Sequence, residues 1–199
     1  MEITKEQFKE LLLQMLETEL GGVQVYTTAL RCAVNGELKA EWEKYLSQTA
    51  EHVQIVTGLL EHFGLDRDVM TPGRRVAAHI GKSVVKAMEL AQADGAAEAA
   101  QLVAAECVVE AETKDHLNWE LLGEARRALQ GEDARLVKAA LEQVEEQEDE
   151  HLYHSTGWSR ELWIESLGLP AVLPPPEEEK DVKTAIGAAR AKKARREML

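Results

Sequence analysis

Aromatic side chains make up only 5% of this 199-residue chain, although 45% of its residues are hydrophobic. Ala, Leu, Glu and Gln are abundant instead, and these are strong helix formers, so the composition points to an all-α fold. Proline is scarce: of five, only Pro72 precedes residue 170, which leaves long stretches free to run as unbroken helices. Cysteine is limited to Cys32 and Cys107. With no Cys-x-x-Cys pair there is no redox or zinc motif, and both are expected to be reduced thiols in the core. No run of eighteen apolar residues occurs and no apolar leader follows Met1, so a soluble, cytoplasmic protein without a membrane partner is expected. Positive charge is also short, at a formal net −13. Residues 180–199 hold seven Lys and Arg against two Asp and Glu, leaving −18 on residues 1–179. That body repels nucleic acid and anionic membrane.

A chain of this length buries one substantial core. A first helix is expected from Thr4, with Gln7 completing an N-terminal cap signal, to a stop at Asn35-Gly36, with Phe8, Leu12, Met15, Leu16, Leu20, Val23 and Leu30 on its inward face. A second runs from about Glu37 to His62, its stripe of Leu38, Trp42, Tyr45, Thr49, His52, Val56 and Leu59 facing inward and Glu51 about 100° away. After a long connection, a shorter helix over about 74–93, with Val76, Ile80, Val84 and Met88 as its stripe, is placed to cross the bundle. A third long helix is expected over 96–129 and a fourth over 133–167, so the first domain covers residues 1–170. The Pro/Glu-rich residues 171–179 read as a semi-rigid spacer, and residues 180–199 as a basic helical tail with little to bury. That tail has no aromatic residue to stack on bases, so nucleic acid is an unlikely partner.

The two halves of the chain repeat one pattern. Glu19 stands seven residues before Tyr26, and Glu112 seven before Trp119. Gln48-Thr49-Ala50-Glu51-His52 is answered by Gln147-Glu148-Asp149-Glu150-His151, with Thr49 where the second copy has Glu148. Glu148 and His151, at i and i+3, share one helix face, as a carboxylate and an imidazole must to reach neighbouring ions inside a bundle. Carboxylates combined with imidazoles suit iron or manganese.

On these residues, roughly positions 5–167 resemble the ferritin-like superfamily of di-iron and di-manganese carboxylate bundles, such as bacterioferritin, rubrerythrin and manganese catalase. The resemblance implies a ferritin-like four-helix bundle of two helical hairpins joined by a long crossover with a short extra helix. It implies Glu19 and Glu112 as terminal carboxylates, Glu148 as a bridge, His52 and His151 as nitrogen ligands, and Tyr26 and Trp119 in supporting positions. Thr49 departs from the pattern where a second bridging carboxylate would stand, and Glu51 or His116 are the candidates to replace it. Two ions, Fe or Mn, are implied if the site is intact. The implied function is redox chemistry on O₂ or peroxide in stress or iron handling, as an oxidoreductase of peroxidase, catalase or oxidase type. The alternative is a non-enzymatic structural or metal-binding protein with a degraded site. A homodimer also follows from the resemblance.

Overall fold

Asn35 opens a helix instead of closing one. Its side-chain oxygen accepts from the backbone N–H groups of Glu37 and Leu38, satisfying donors that the first turn leaves without partners. The computed structural model describes residues 4–179, and among them six helices and no strand: α1 Lys5–Cys32, α2 Gly36–His62, α3 Pro72–Asp94, α4 Ala97–Arg126, α5 Gly131–Ser166 and the four-residue α6 Pro176–Glu179. The fold is all-α, as expected. Thr4 stands at the N-cap of α1 but makes no side-chain cap bond.

Helices α1, α2, α5 and α4 pack in that order around a four-helix bundle, and across the diagonals only side chains meet, no two Cα atoms coming within 8 Å. α1 and α5 run one way, α2 and α4 the other. α2 therefore ends at the opposite end from where α4 begins, and the connection must travel the length of the bundle. α3 makes that journey: its 23 residues span about 35 Å, and it lies against both α1 and α4. Close approach is allowed by paired glycines, since a Cβ on Gly81 would stand 3.5 Å from the Gly21 Cα. Buried Arg74 ties the start of α3 down, donating to Glu17 at 2.8 Å and to the Val69 carbonyl at 3.0 Å. The inward residues of α3 are Arg74, Val84 and Met88, whereas Val76 and Ile80, expected in its stripe, are exposed.

The inward line of α1 also differs from its apolar stripe. Leu20, Val23 and Leu30 are only half-buried, while Glu19, Gly22, Val25, Tyr26 and Ala29 are buried. A polar layer occupies mid-bundle and splits the core in two. One apolar cluster includes Phe8, Leu12, Leu60, Leu122 and Val137. The other includes Tyr26, Trp42, Tyr45, Ala104 and Trp158. Cys32 and Cys107 are buried free thiols at this second end, and burial raises the pKa of both, which leaves them unreactive.

Residues 171–177, expected as a spacer, are instead docked. Pro175, Pro176 and Glu177 are buried, and a Cβ on Gly157 would meet Pro175 at 3.1 Å. Glu177 takes both terminal nitrogens of Arg160, at 2.6 and 2.8 Å, and Glu161 accepts from the Val172 N–H at 2.9 Å. A buried carboxylate held by a bidentate guanidinium outweighs the stiffness of the prolines in deciding where this segment goes. The basic tail lies outside the described residues. No helix among the described residues is long and apolar enough to cross a membrane. Glu177→Ala is expected to lower stability by about 1–3 kcal/mol, read as an earlier urea midpoint, and an unchanged midpoint would show that the segment is not held there.

Candidate metal centre

Each of the four bundle helices sends a functional side chain into the mid-bundle layer. α1 supplies Glu19, α2 His52, α4 Glu112, and α5 both Glu148 and His151, and none of the five is more than 3% exposed. Ligand atoms of Glu19, His52 and Glu148 lie within 4.8 Å of one another, and so do those of Glu112, Glu148 and His151. Glu148 belongs to both groups. His52 Nδ1 stands 3.2 Å from Glu148 Oε1 and 3.6 Å from Glu19 Oε2. His151 Nδ1 stands 3.5 Å from Glu112 Oε2 and 3.7 Å from Glu148 Oε1. The two imidazoles stack, with centroids 5.7 Å apart.

The supporting contacts are exchanged between the halves. His52 Nε2 meets Gln147 Oε1 of α5 at 2.9 Å, and His151 Nε2 meets Gln48 Oε1 of α2 at 3.0 Å. An amide oxygen only accepts, so Nε2 donates to it, and Nδ1 faces the carboxylates. Trp119 of α4 likewise serves Glu19 of α1, donating to its Oε1 at 2.8 Å. Tyr26 of α1 lies beside Glu112 of α4 and is buried, and burial together with that carboxylate holds its hydroxyl pKa well above the ordinary value. The glutamines stand four residues before each histidine, and that i, i+4 signal was present in the sequence although no role was assigned to it.

Charge in this layer is poorly compensated by protein groups. Glu19 Oε2, Glu112 Oε2, both oxygens of Glu148 and the Nδ1 atoms of both histidines make no hydrogen bond among the described residues. Burial alone would lower the pKa of His52, but Glu148 and Glu19 outweigh it and push it up to about 10. Burial pushes Glu148 up to about 7, with Glu112 and Glu19 adding and His52 and His151 opposing. Buried polar atoms are ordinarily satisfied, so six orphaned donor atoms converging on two points fit a pair of cations.

The structure separates the other predicted residues. Thr49 is buried, and a Cβ on Gly22 would come 3.0 Å from its methyl group. Glu51 is exposed on α2, so it does not replace the missing carboxylate: one residue of helix turns it 100° away from His52. His116 is also outside the cluster. Its Nε2 pairs with Asp149 Oδ1 at 2.8 Å, because its ring falls on the α4/α5 surface, in a cleft of roughly 650 Å³ whose walls include Trp119, Glu148, Asp149 and Tyr153.

Two features went unread in the sequence. Asp115, three residues past Glu112, is buried with Oδ1 unpartnered. It repeats the i, i+3 spacing of Glu148 and His151, which was the available signal. The second is a buried network one turn beyond His151, where Glu41 accepts from the Tyr45 hydroxyl, from Trp158 Nε1 at 2.6 Å and from His154 Nδ1 at 3.0 Å. The Tyr45 ring packs on His151, with centroids 4.2 Å apart. Glu41 sits on the inward face of α2, one residue before Trp42, outside the spacing expected for its stripe.

Compared with known protein families, characterised proteins and solved structures, the chain finds no match. The site therefore stands on its geometry. It is a helical bundle with buried carboxylate and histidine groups that could hold metal ions, compatible with a di-metal site. Such binding must displace protons, since His52 is charged at neutral pH in the metal-free protein. Both raised pKa values mean that the folded metal-free chain binds more protons than the unfolded one. Its stability from these groups therefore falls as pH rises, from 4.5 to about 7 for Glu148 and from 6.5 to about 10 for His52. Mn²⁺ added at pH 7.5 is expected to release about one proton or more per chain, followed with a pH indicator, and to bind more weakly at pH 6 than at pH 8. Binding without proton release would contradict the electrostatics of the layer.

Proposed function

We propose that the protein is a ferritin-like metalloprotein with two iron or manganese ions between its four long helices, and that it carries out redox chemistry on O₂ or peroxide. The observation that carries this reading is the pair of three-residue groups sharing Glu148. Glu19, His52 and Glu148 would hold one ion, and Glu112, Glu148 and His151 the other. When bound, such ions supply reversible one-electron chemistry and a positively charged seat for an oxygen ligand.

The chain's own residues supply the rest. Gln48 and Gln147 orient the imidazoles from the opposite helix, and outer partners of this kind are worth about 10–100-fold in metal affinity. Trp119 holds one oxygen of Glu19 and leaves the other for an ion. Apolar clusters on both sides exclude water along the bundle axis, so access runs from the side. The cleft between α4 and α5 reaches Glu148, and a molecule as small as peroxide fits it. The His116–Asp149 pair lies in its wall, where either group could hold a proton for an arriving substrate.

A second reading, a metal-binding bundle without turnover, is favoured by one observation. Thr49 packs against Gly22 where a second bridging carboxylate would stand, which leaves the layer asymmetric. Metal content and peroxide consumption separate the two. After reconstitution with Fe²⁺ or Mn²⁺ and removal of free ions, about two ions per chain are expected. Peroxide loss should be lost in His151→Ala. Two bound ions without turnover would favour the second reading, and less than about half an ion per chain would overturn both.

A further inference from the structure

The repeat that relates the two halves has a second asymmetric position. A shift of 93 residues carries Glu19, Gly22 and Tyr26 onto Glu112, Asp115 and Trp119, and a shift of 99 carries Gln48, Thr49 and His52 onto Gln147, Glu148 and His151. The first half thus places Gly22 and Thr49 where the second half has Asp115 and Glu148. Gly22 and Thr49 touch one another, a small residue against a small one. The other half brings two carboxylates to the same layer. The carboxylate absent from α2 has a counterpart on α4.

Charge decides whether this matters. Two divalent cations bring four positive charges, and Glu19, Glu112 and Glu148 return three. The remaining charge would sit in a layer almost closed to water, where an uncompensated ion is strongly disfavoured. Asp115 is 4% exposed, and its Oδ1 makes no hydrogen bond among the described residues. It stands one turn from Glu112 and four residues before Trp119, whose indole is bonded to Glu19.

Resting on the di-metal reading above, we propose that Asp115 is the fourth carboxylate of the centre, supplying from α4 the negative charge that Thr49 withholds from α2. Its role is to match the charge of a second divalent cation. Asp115 sets the stoichiometry at two.

Mn²⁺ titration followed by the electron paramagnetic resonance of free Mn²⁺ counts the bound ions directly. Wild type is expected to bind two per chain. Asp115→Asn keeps the shape and removes the charge, and is expected to bind one, with affinity for any second ion down about 10–100-fold. Asp115→Glu should keep two. Glu110→Gln, which neutralises an exposed carboxylate on the same helix, should also keep two. Equal losses in Asp115→Asn and Glu110→Gln would reduce the effect to general electrostatics and overturn the proposal. The metal-free Asp115→Asn protein should melt no lower than wild type, because the amide keeps the shape of the side chain and puts no charge into the buried layer. A lower melting temperature, or failure to fold, would make Asp115 a structural partner and overturn the proposal too. If wild type binds two ions and Asp115→Asn binds two with unchanged affinity, this inference alone falls. If wild type binds none, the di-metal reading falls with it.

Discussion

Burial of Glu148 is the constraint on which the rest of the molecule depends. A carboxylate closed off from water by four helices needs hydrogen bonds or cations around it, and neither of its oxygens makes a hydrogen bond among the described residues. The two nearest partners are the Nδ1 atoms of His52 and His151. Those atoms face Glu148 only because glutamines from the opposite helix take the Nε2 side of each ring. The long crossover serves the same end: only with α2 and α4 parallel, and α1 antiparallel to α4, do the two halves meet with their polar residues in one layer.

Exchange between halves is the repeated device. The histidine of one hairpin is oriented by a glutamine of the other, and the terminal glutamate of one is flanked by the aromatic of the other. The α4/α5 hairpin holds Glu112, Glu148 and His151, but the Glu19, His52 and Glu148 group needs both hairpins, so the whole layer forms only when they dock. Around it, the bundle is apolar at one end and carries a second buried polar network at the other, where Glu41 collects Tyr45, Trp158 and His154. Burial raises the carboxyl pKa of Glu41, but the hydrogen bonds from His154, Tyr45 and Trp158 outweigh that and bring it below the ordinary value. That contrast with Glu148 is instructive. A buried carboxylate with three donors is settled as an anion by the protein itself, whereas Glu148, which faces only two imidazole Nδ1 atoms and other carboxylates, is left for a proton or a metal ion.

Much of this was legible in the sequence. Helical periodicity located all four long helices, because apolar residues three and four apart leave little alternative in a chain so poor in proline and aromatics. The repeat placed Glu19, His52, Glu112, Glu148 and His151 on inward faces, and the structure brings them together. What periodicity misjudged were residues whose neighbours come from elsewhere. Val76 and Ile80 have the spacing of a buried stripe, but paired glycines and Arg74 seat α3 with those residues outward. The Pro/Glu segment has a spacer's composition, yet Arg160 and Gly157 give it a dock. Glu41 and Asp115 are buried by neighbours on other helices.

By itself the sequence determined the helices, their faces and the five residues that share a register, because these follow from local spacing along one chain. Tertiary structure alone decided which carboxylates are satisfied. Glu41 and Glu148 are both buried glutamates, and the difference between an anion held by three donors and an open metal-binding group lies largely in His154 and Trp158, which α5 brings to Glu41. The tertiary fold alone also set Asp115 among the buried carboxylates and Glu51 in solvent, since a helix face acquires its meaning from what is packed against it.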